Sequence, residues 1–442
     1  MTETAPDLHR VMDLRHLVGN GLVMIGPAAA VGILGPLDAR SGGAVGTVYV
    51  VATAVMALTA ISYARMAGAV PRAGSVYSYA SVGIGPRAGF IGGWMVLLDY
   101  FLVPSVAFLF TGIALHSAIP QVPAWVFSAG ALVVATVLNL AGVAYLARAA
   151  LVIVVAEVVA LALAIGGALA VITSGGAHRG LWTPFTGASG FSPTAVIGAV
   201  SVAAVAYLGF DAIATFAEET RGETVLVGRA MVACLALAGL LFVAQSYVAE
   251  VLAPVSPAHL AADPSLQGSL YYDTLRSEVA PWIATLLSYA KAVGAAFAGM
   301  VGLAAGGRVT MTMARDGRLP RRLSRVSEHS GVPVVATVGV TAVTGIVAVW
   351  AANKDDGLDL LSSTVSVGAL SAFVLVHASV VGYFRGTDVL RSVVVPVVGI
   401  AALIAVLVFA DHTAQIVGAV WLAIGVVYML VAGRVSRTTD AR

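Results

Sequence analysis

The chain has 442 residues, 59% of them hydrophobic and 10% charged, with a mean hydropathy of +0.96. That balance excludes an ordinary soluble domain and marks an integral membrane protein. A formal charge of only +2 with no dense basic run argues against a nucleic-acid partner, and the single cysteine, Cys234, excludes an internal disulfide.

The polar opening TETAPDLHRVMDLR lacks the short apolar core of a cleavable leader, so the first apolar segment is expected to be retained. Stretches of about 20 apolar residues, enough to cross a hydrocarbon core, lie at 15–36, 44–69, 88–117, 123–142, 149–173, 193–217, 227–252, 282–313, 332–351, 358–384, 393–410 and 413–433. Twelve transmembrane helices in an all-α fold are therefore predicted. The acidic connection PVSPAHLAADPSLQGSLYYDTLRSEVA before span 8 is expected to hold short helices.

An even number of spans puts both termini on one side. That side carries 19 of the 24 basic residues, against Arg40, Arg179, Arg276 and Lys354 on the other, with Lys291 inside span 8. The bias predicts cytoplasmic tails at 1–14 and 434–442 and a multi-pass protein of the cytoplasmic (inner) membrane.

Span 1 holds Gly26-Pro27 at mid-depth, where proline gives no helical N–H and glycine resists no bend. Span 6 reads AVAYLGFDAIATFAEE, with Gly209 two residues ahead of Asp211. A carboxylate at that depth is costly unless solvated, protonated or partnered, which makes it a functional candidate. The two breaks lie five spans apart, so their helices run in opposite directions. Interrupted helices in matching positions of two five-helix halves point to an inverted-repeat transporter with a mid-membrane site. The halves would span 15–173 and 193–384, which leaves two further spans within 391–433. Candidate substrate contacts are Ile25, Gly26, Pro27, Ala28 and Ala29 in one break, and Tyr207, Gly209, Phe210, Asp211 and Ala212 in the other.

Three further charges fall at similar depth. At a rise of about 1.5 Å per residue, Asp99 in WMVLLDYFLVP is about 17 Å and Glu157 about 14 Å from the arginine-rich end. Lys291 descends to the same level from the opposite end. Three acids against one lysine suit a cation, whose ammonium needs carboxylates or the ring faces of Tyr100, Tyr207 and Phe210 in place of water. Glu157 and Lys291 are candidates for a buried pair whose protonation follows the transport cycle, with Lys291 facing Asp211 or Asp99 as the alternative. His377 and His116 are weaker titratable candidates, more in keeping with packing. Glu218, Glu219, Arg221 and Glu223 stand at the mouth of span 6, where a gate with Arg65 or Arg308 is as reasonable as a solvated helix end. No Walker loop, metal-spaced His and Cys set or nucleophile motif is present, so no enzyme activity, metal or cofactor is expected.

The text AISYARMAGAVPRAGSVYSYASVGIGPRAGFIGGWMVLLDY, the later RVTMTMARDGRLPRRLSRVSEHSGVPVVA and YLGFDAIATFAEE together resemble the amino acid, polyamine and organocation (APC) superfamily of permeases, most closely the bacterial putrescine importers. The resemblance runs from Leu14 to about Phe384. It implies a leucine-transporter-like fold, with helices 1 to 5 and 6 to 10 as inverted repeats and helices 11 and 12 at 391–433 peripheral, and secondary transport of a small amine or amino acid, coupled to protons or to exchange. Two departures bear on chemistry. Amino acid permeases of the superfamily usually place Gly-x-Gly in helix 1, whose amides hold the substrate carboxylate; here Ile25, Gly26 and Pro27 align, and Pro27 has no N–H. Proton-coupled cationic members tend to place a lysine where Glu157 stands.

The expectation is therefore a proton symporter of a putrescine-like amine working by alternating access, with a proton-coupled amino acid permease or exchanger as the alternative and a non-transporting sensor on the same fold more remote. Sodium is the alternative coupling ion. The expected partners are the small substrate and the bilayer, without an obligate protein partner.

Overall fold

The structure is a computed structural model in which residues 14–70, 75–141, 146–211, 213, 225–315, 317–327, 332–385 and 388–439 are described. Among them there is no strand. Lipid offers no partner to a backbone N–H or C=O, so each apolar stretch satisfies its own as a helix.

In chain order, α1 (Leu14–Ile25) leads through a 3-10 turn (Ala29–Ile33) into α2 (Leu34–Ser41). There follow α3 (Val45–Ala69), the short α4 (Ser75–Gly83), α5 (Pro86–Ala118), α6 (Ala124–Ala141), α7 (Leu146–Thr173) and the single turn α8 (Thr183–Thr186). The second part opens with α9 (Pro193–Ala203) and a 3-10 turn (Ala204–Tyr207), then α10 (Val225–Leu252). The acidic connection folds as expected into short helices, α11 (Pro257–Ala262) and α12 (Leu270–Thr274). The rest is α13 (Pro281–Arg315), α14 (Val334–Ala352), α15 (Gly357–Tyr383), α16 (Val395–Phe409) and α17 (His412–Thr439).

Ten helices among the described residues are long and apolar enough to cross a membrane. They match ten of the twelve expected spans. The other two, spans 1 and 6, are the interrupted ones. Residues 214–224, the continuation of span 6 with Glu218, Glu219, Arg221 and Glu223, lie outside the described residues, as does Ala212.

The two longest helices, α5 and α13, run along each other at the centre. Gly299, Gly302 and Gly306 of α13 face Phe108, Pro104 and the Tyr100 backbone of α5. Small residues at this spacing let backbones approach closely, which drives helix association where lipid removes the hydrophobic difference. At the far end of the chain α17 is fastened to α5 by a reciprocal pair: each indole of Trp94 and Trp421 donates to the other's carbonyl at 2.8 Å, with ring centroids 4.8 Å apart.

The bundle has two unlike ends. One is rich in arginine, with Arg308, Arg315, Arg318, Arg321, Arg322 and Arg325. The other carries the long connections 174–192 and 253–280. At this long-loop end α2 is buried: Leu34, Leu37 and Asp38 are at most 1% exposed, and Gly35 lies against the Gln267 backbone.

Candidate functional site

The first break is a change of backbone hand. α1 stops because Gly26 takes φ +80°, and the chain resumes with Ala29 N–H bonded to the Gly26 carbonyl at 3.0 Å. The Gly26 N–H is already given to Leu22 at 3.0 Å, and Pro27 has none to give. The Pro27 carbonyl, freed by the break, accepts from Gln245 Nε2 of α10 at 3.1 Å. Gln245 is fully buried. It is absent from the candidates named from the sequence, where its signal is a lone amide in the apolar run LLFVAQSYVAE.

The second break touches the first. Leu208 is extended at ψ 139° and Gly209 takes φ +106°, a value open to glycine alone among common residues. A Cβ on Gly209 would stand 3.0 Å from the Met24 carbonyl oxygen, so the two interrupted helices meet backbone to backbone here.

Beyond Gly209 the chain places Phe210 in a fully buried aromatic cluster. Its ring lies 5.8 Å from Tyr63 of α3 and 5.6 Å from Phe373 of α15, and Tyr63 lies 6.0 Å from Tyr79 of α4. Half-buried Asp211 follows, and its charge reaches Tyr79, Asp99 and Tyr100. Asp99 Oδ1 is buried and has no hydrogen-bond partner among the described residues. Asp99, Tyr100, Phe210 and Asp211 thus gather beside the breaks. Tyr63, Tyr79 and Phe373 join them without any spacing in the sequence that announces it.

Other candidates sit elsewhere. Tyr207 is turned into the α3–α10 packing, with its hydroxyl 2.7 Å from Thr53 Oγ1 and its ring 5.1 Å from Phe242. Ile25, Pro27, Ala28 and Ala29 are buried in the first break. His377 is fully buried and bonds Ser62 at 2.8 Å and Thr59 at 3.2 Å, joining α15 to α3. The Thr59 hydroxyl also lies 3.2 Å from the Val55 carbonyl, so the ring shares it with the α3 backbone. His116 bonds the Val122 carbonyl at 2.8 Å. Arg65 lies 4.4 Å over the Phe384 ring and 3.7 Å from Asp388.

Glu157 of α7 and Lys291 of α13 form a second polar cluster. They are 3% and 5% exposed, and each acts on the other's charge without a hydrogen bond between them. Lys291 is thereby matched with Glu157 rather than with Asp99 or Asp211. Its Nζ lies 4.8 Å from the centre of the Phe110 ring, while the Glu157 carboxylate rests on Gly294, one turn along the same helix. Phe110 in turn packs on Gly32 in the 3-10 turn of the first break. The Glu157–Lys291 cluster is therefore linked by one ring to the interrupted helix.

Two cavities lie away from the breaks: an apolar groove of about 430 Å³ between α5, α6, α7 and α13, and a polar one of about 670 Å³ at the long-loop end that includes His116, Gln267 and Lys354. No group of three or more His, Cys, Asp or Glu among the described residues is arranged to hold a metal ion.

A family model described as amino acid permease matches residues 17–440. The chain is 26% identical over 435 residues to a low-affinity putrescine importer of Escherichia coli, covering 96% of this chain and 93% of the importer. It is 28% identical over 386 residues to a branched-chain amino acid permease of Bacillus subtilis, covering 83% and 75%. Against the vacuolar cationic amino acid transporter 2 of Arabidopsis thaliana it is 30% identical over 403 residues, covering 84% and 59%.

Proposed function

The chain belongs to the amino acid permease family and is a membrane transporter rather than an enzyme, and from that premise we propose that it imports a small putrescine-like amine by proton symport. The observation that carries this reading is the first break. Its Gly26 amide is spent on Leu22 and Pro27 has none, so two donors that a carboxylate would use at this turn are missing and the Ala28 amide is the next one along. Opposite it stand Asp211 and Asp99, the latter with a buried oxygen that has no hydrogen-bond partner among the described residues. A site that lacks these two donors and gathers two carboxylates favours an ammonium group without an α-carboxylate.

In the mechanism we infer, Asp211 and Asp99 take the ammonium. The aromatic faces of Phe210, Tyr63 and Tyr79 shield it from water. Residues 15–173 and 193–384 act as two inverted repeats that rock about the breaks, and helices 11 and 12 at 391–433 stay peripheral. The excess of basic residues puts both termini and the arginine-rich end in the cytoplasm, and the long-loop end outside. In this reading the Arg40–Asp359 pair, which ties α2 to α15 at 2.5 Å, is the tie that closes the outer side. Protonation of Glu157 weakens its hold on Lys291. The change passes through Phe110 to Gly32 and favours inward against outward opening.

A panel of amines and amino acids in a thermal-shift assay tests the substrate class, because a ligand of the folded state raises its apparent stability. Stabilisation by diamines is expected. A panel in which only molecules with an α-carboxylate stabilise rejects the amine reading in favour of an amino acid permease, which the similarity to two amino acid carriers supports.

A further inference from the structure

Two carboxylates and one guanidinium are buried together at the long-loop end, away from both polar clusters described above. Asp38 of α2 and Glu250 of α10 are 0% exposed, and the side chain of Arg179, from the connection between α7 and α8, is 8% exposed. Arg179 turns its fork on Asp38, Nη1 to Oδ1 and Nη2 to Oδ2, both at 2.8 Å. Nη2 also donates to the Val255 carbonyl, and the Arg179 backbone N–H to Val251 at 3.0 Å. The guanidinium is committed to one acid and to backbone. Glu250 is left with Nη1 at 3.7 Å and the Val45 amide at the start of α3, and neither of its buried oxygens has a hydrogen bond of ordinary length and angle among the described residues.

The groups facing Glu250 can be named element by element. Asp38 comes from α2 and Arg179 from the connection before α8, and α3 contributes the Val45 amide of its first turn. Other charges nearby are engaged or turned away. Arg40 is held by Asp359 and Asp411, His178 by Glu278 at 2.8 Å, Arg276 by Asp273 at 2.8 Å, and His259 is exposed.

An ionised Glu250 would leave one negative charge buried without a matching positive one. A metal ion beside it would lie against the guanidinium and be repelled. A proton meets neither objection. We propose that Asp38, Arg179 and Glu250 form a second proton site at the outer end, in which Glu250 is protonated while that end is shut and returns its proton to the same side when water enters.

The proposal rests on the reading of a transporter whose long-loop end faces outwards. It assigns a role different from that of Glu157. A proton that enters and leaves on one side does no work in accumulation; it sets how readily the outer end opens. The shut form binds one proton more than the open form, so raising external pH favours opening.

Ser41, 2% exposed and three residues past Asp38 on α2, accepts the Ala44 N–H beside the Val45 amide that faces Glu250, so a thiol in its place samples water that reaches this cluster. In a Cys234→Ala background carrying Ser41→Cys, whole cells are labelled with a membrane-impermeant maleimide across a range of external pH, with and without Glu250→Gln. Comparison at equal pH cancels the thiol's own ionisation. The rate without Glu250→Gln divided by the rate with it is expected to be near one in acid and to rise to about tenfold in alkali. A ratio independent of external pH overturns the proposal and makes Glu250 an ionised brace for Arg179. Asp38→Asn leaves one acid for one guanidinium, is expected to remove the pH dependence equally, and serves where Glu250→Gln does not fold. Gradient-driven accumulation in proteoliposomes is expected to survive Glu250→Gln, and its loss overturns the one-sided proton. If the wild type never accumulates amine, the symport reading fails, and the labelling ratio still decides this proposal.

Discussion

Asp211 lies one residue past a ring that is wholly buried and two past a backbone angle of +106°. Its position is set by the break, not by helix geometry. Replacing it by asparagine keeps the shape and removes the charge. Losing the partner of a buried ammonium costs about 2 kcal/mol or more, so Asp211→Asn is expected to weaken uptake of a cationic amine by about 30-fold or more. Near-normal uptake would take the carboxylate out of the site. Glu157→Gln removes a titratable group while Phe110 remains over Lys291, so exchange of labelled amine is expected to continue while the response to a pH gradient disappears. An unchanged gradient response would assign Glu157 to packing alone. The glycines separate strain from contact. Gly26→Ala meets open space and is strained only by φ +80°, about 1–2 kcal/mol. Gly209→Ala adds a Cβ 3.0 Å from the Met24 carbonyl oxygen to a similar strain, and is expected to lower Tm further and to damage uptake more. Equal effects of the two would show that the contact between the breaks is slack.

At the scale of elements, the interrupted helices are held by neighbours that remain continuous. Gln245 of α10 pins the Pro27 carbonyl of the first break, and two of the continuous helices are themselves joined where His377 of α15 meets two hydroxyls of α3. The final helix is secured by a different device. Trp94 and Trp421 exchange hydrogen bonds and stack, with Tyr428 5.9 Å from the Trp94 ring. Trp421→Phe removes one indole donor and is expected to cost about 1 kcal/mol; Trp421→Ala also empties the stack and is expected to cost about 3 kcal/mol or more. Both losses are read by thermal unfolding in detergent. Because α17 stands away from the breaks, uptake well below Tm is expected to survive in Trp421→Phe. A variant that folds well and does not transport would bring the last helix into the working cycle.

For the whole molecule, the charge pattern and the two clusters lead to one expectation about energy. If Glu157 carries the coupling ion, accumulation follows an imposed pH gradient and is unaffected when choline replaces sodium. Accumulation that stops without sodium would move the coupling site to carbonyls of the breaks. The long-loop end, tied by Arg40 and Arg179, is the end expected to open last in acid surroundings.

Sequence alone determined the membrane class, ten continuous spans and the places where two further spans break, because these follow from apolar length and from residues that cannot sustain a helix. The short helices of the acidic connection were legible for a similar reason: proline and serine starts precede short apolar runs. It also marked Asp99, Glu157, Asp211 and Lys291, since charge at that depth stands out against lipid-facing composition. Tertiary structure decided what those residues meet. Depth alone left Lys291 open to any of three acids, and packing of α7 on α13 matched it with Glu157. Tyr207 shares a strand of sequence with Asp211 but points into the α3–α10 contact, because the 3-10 turn before Leu208 rotates it away. Tyr63, Tyr79 and Phe373 converge from three helices, and Asp38, Arg179 and Glu250 from three distant stretches, so no local pattern could bring them together. Hydropathy is a property of each segment. Which faces of those segments touch is a property of the closed bundle, and both polar clusters at mid-depth exist only there.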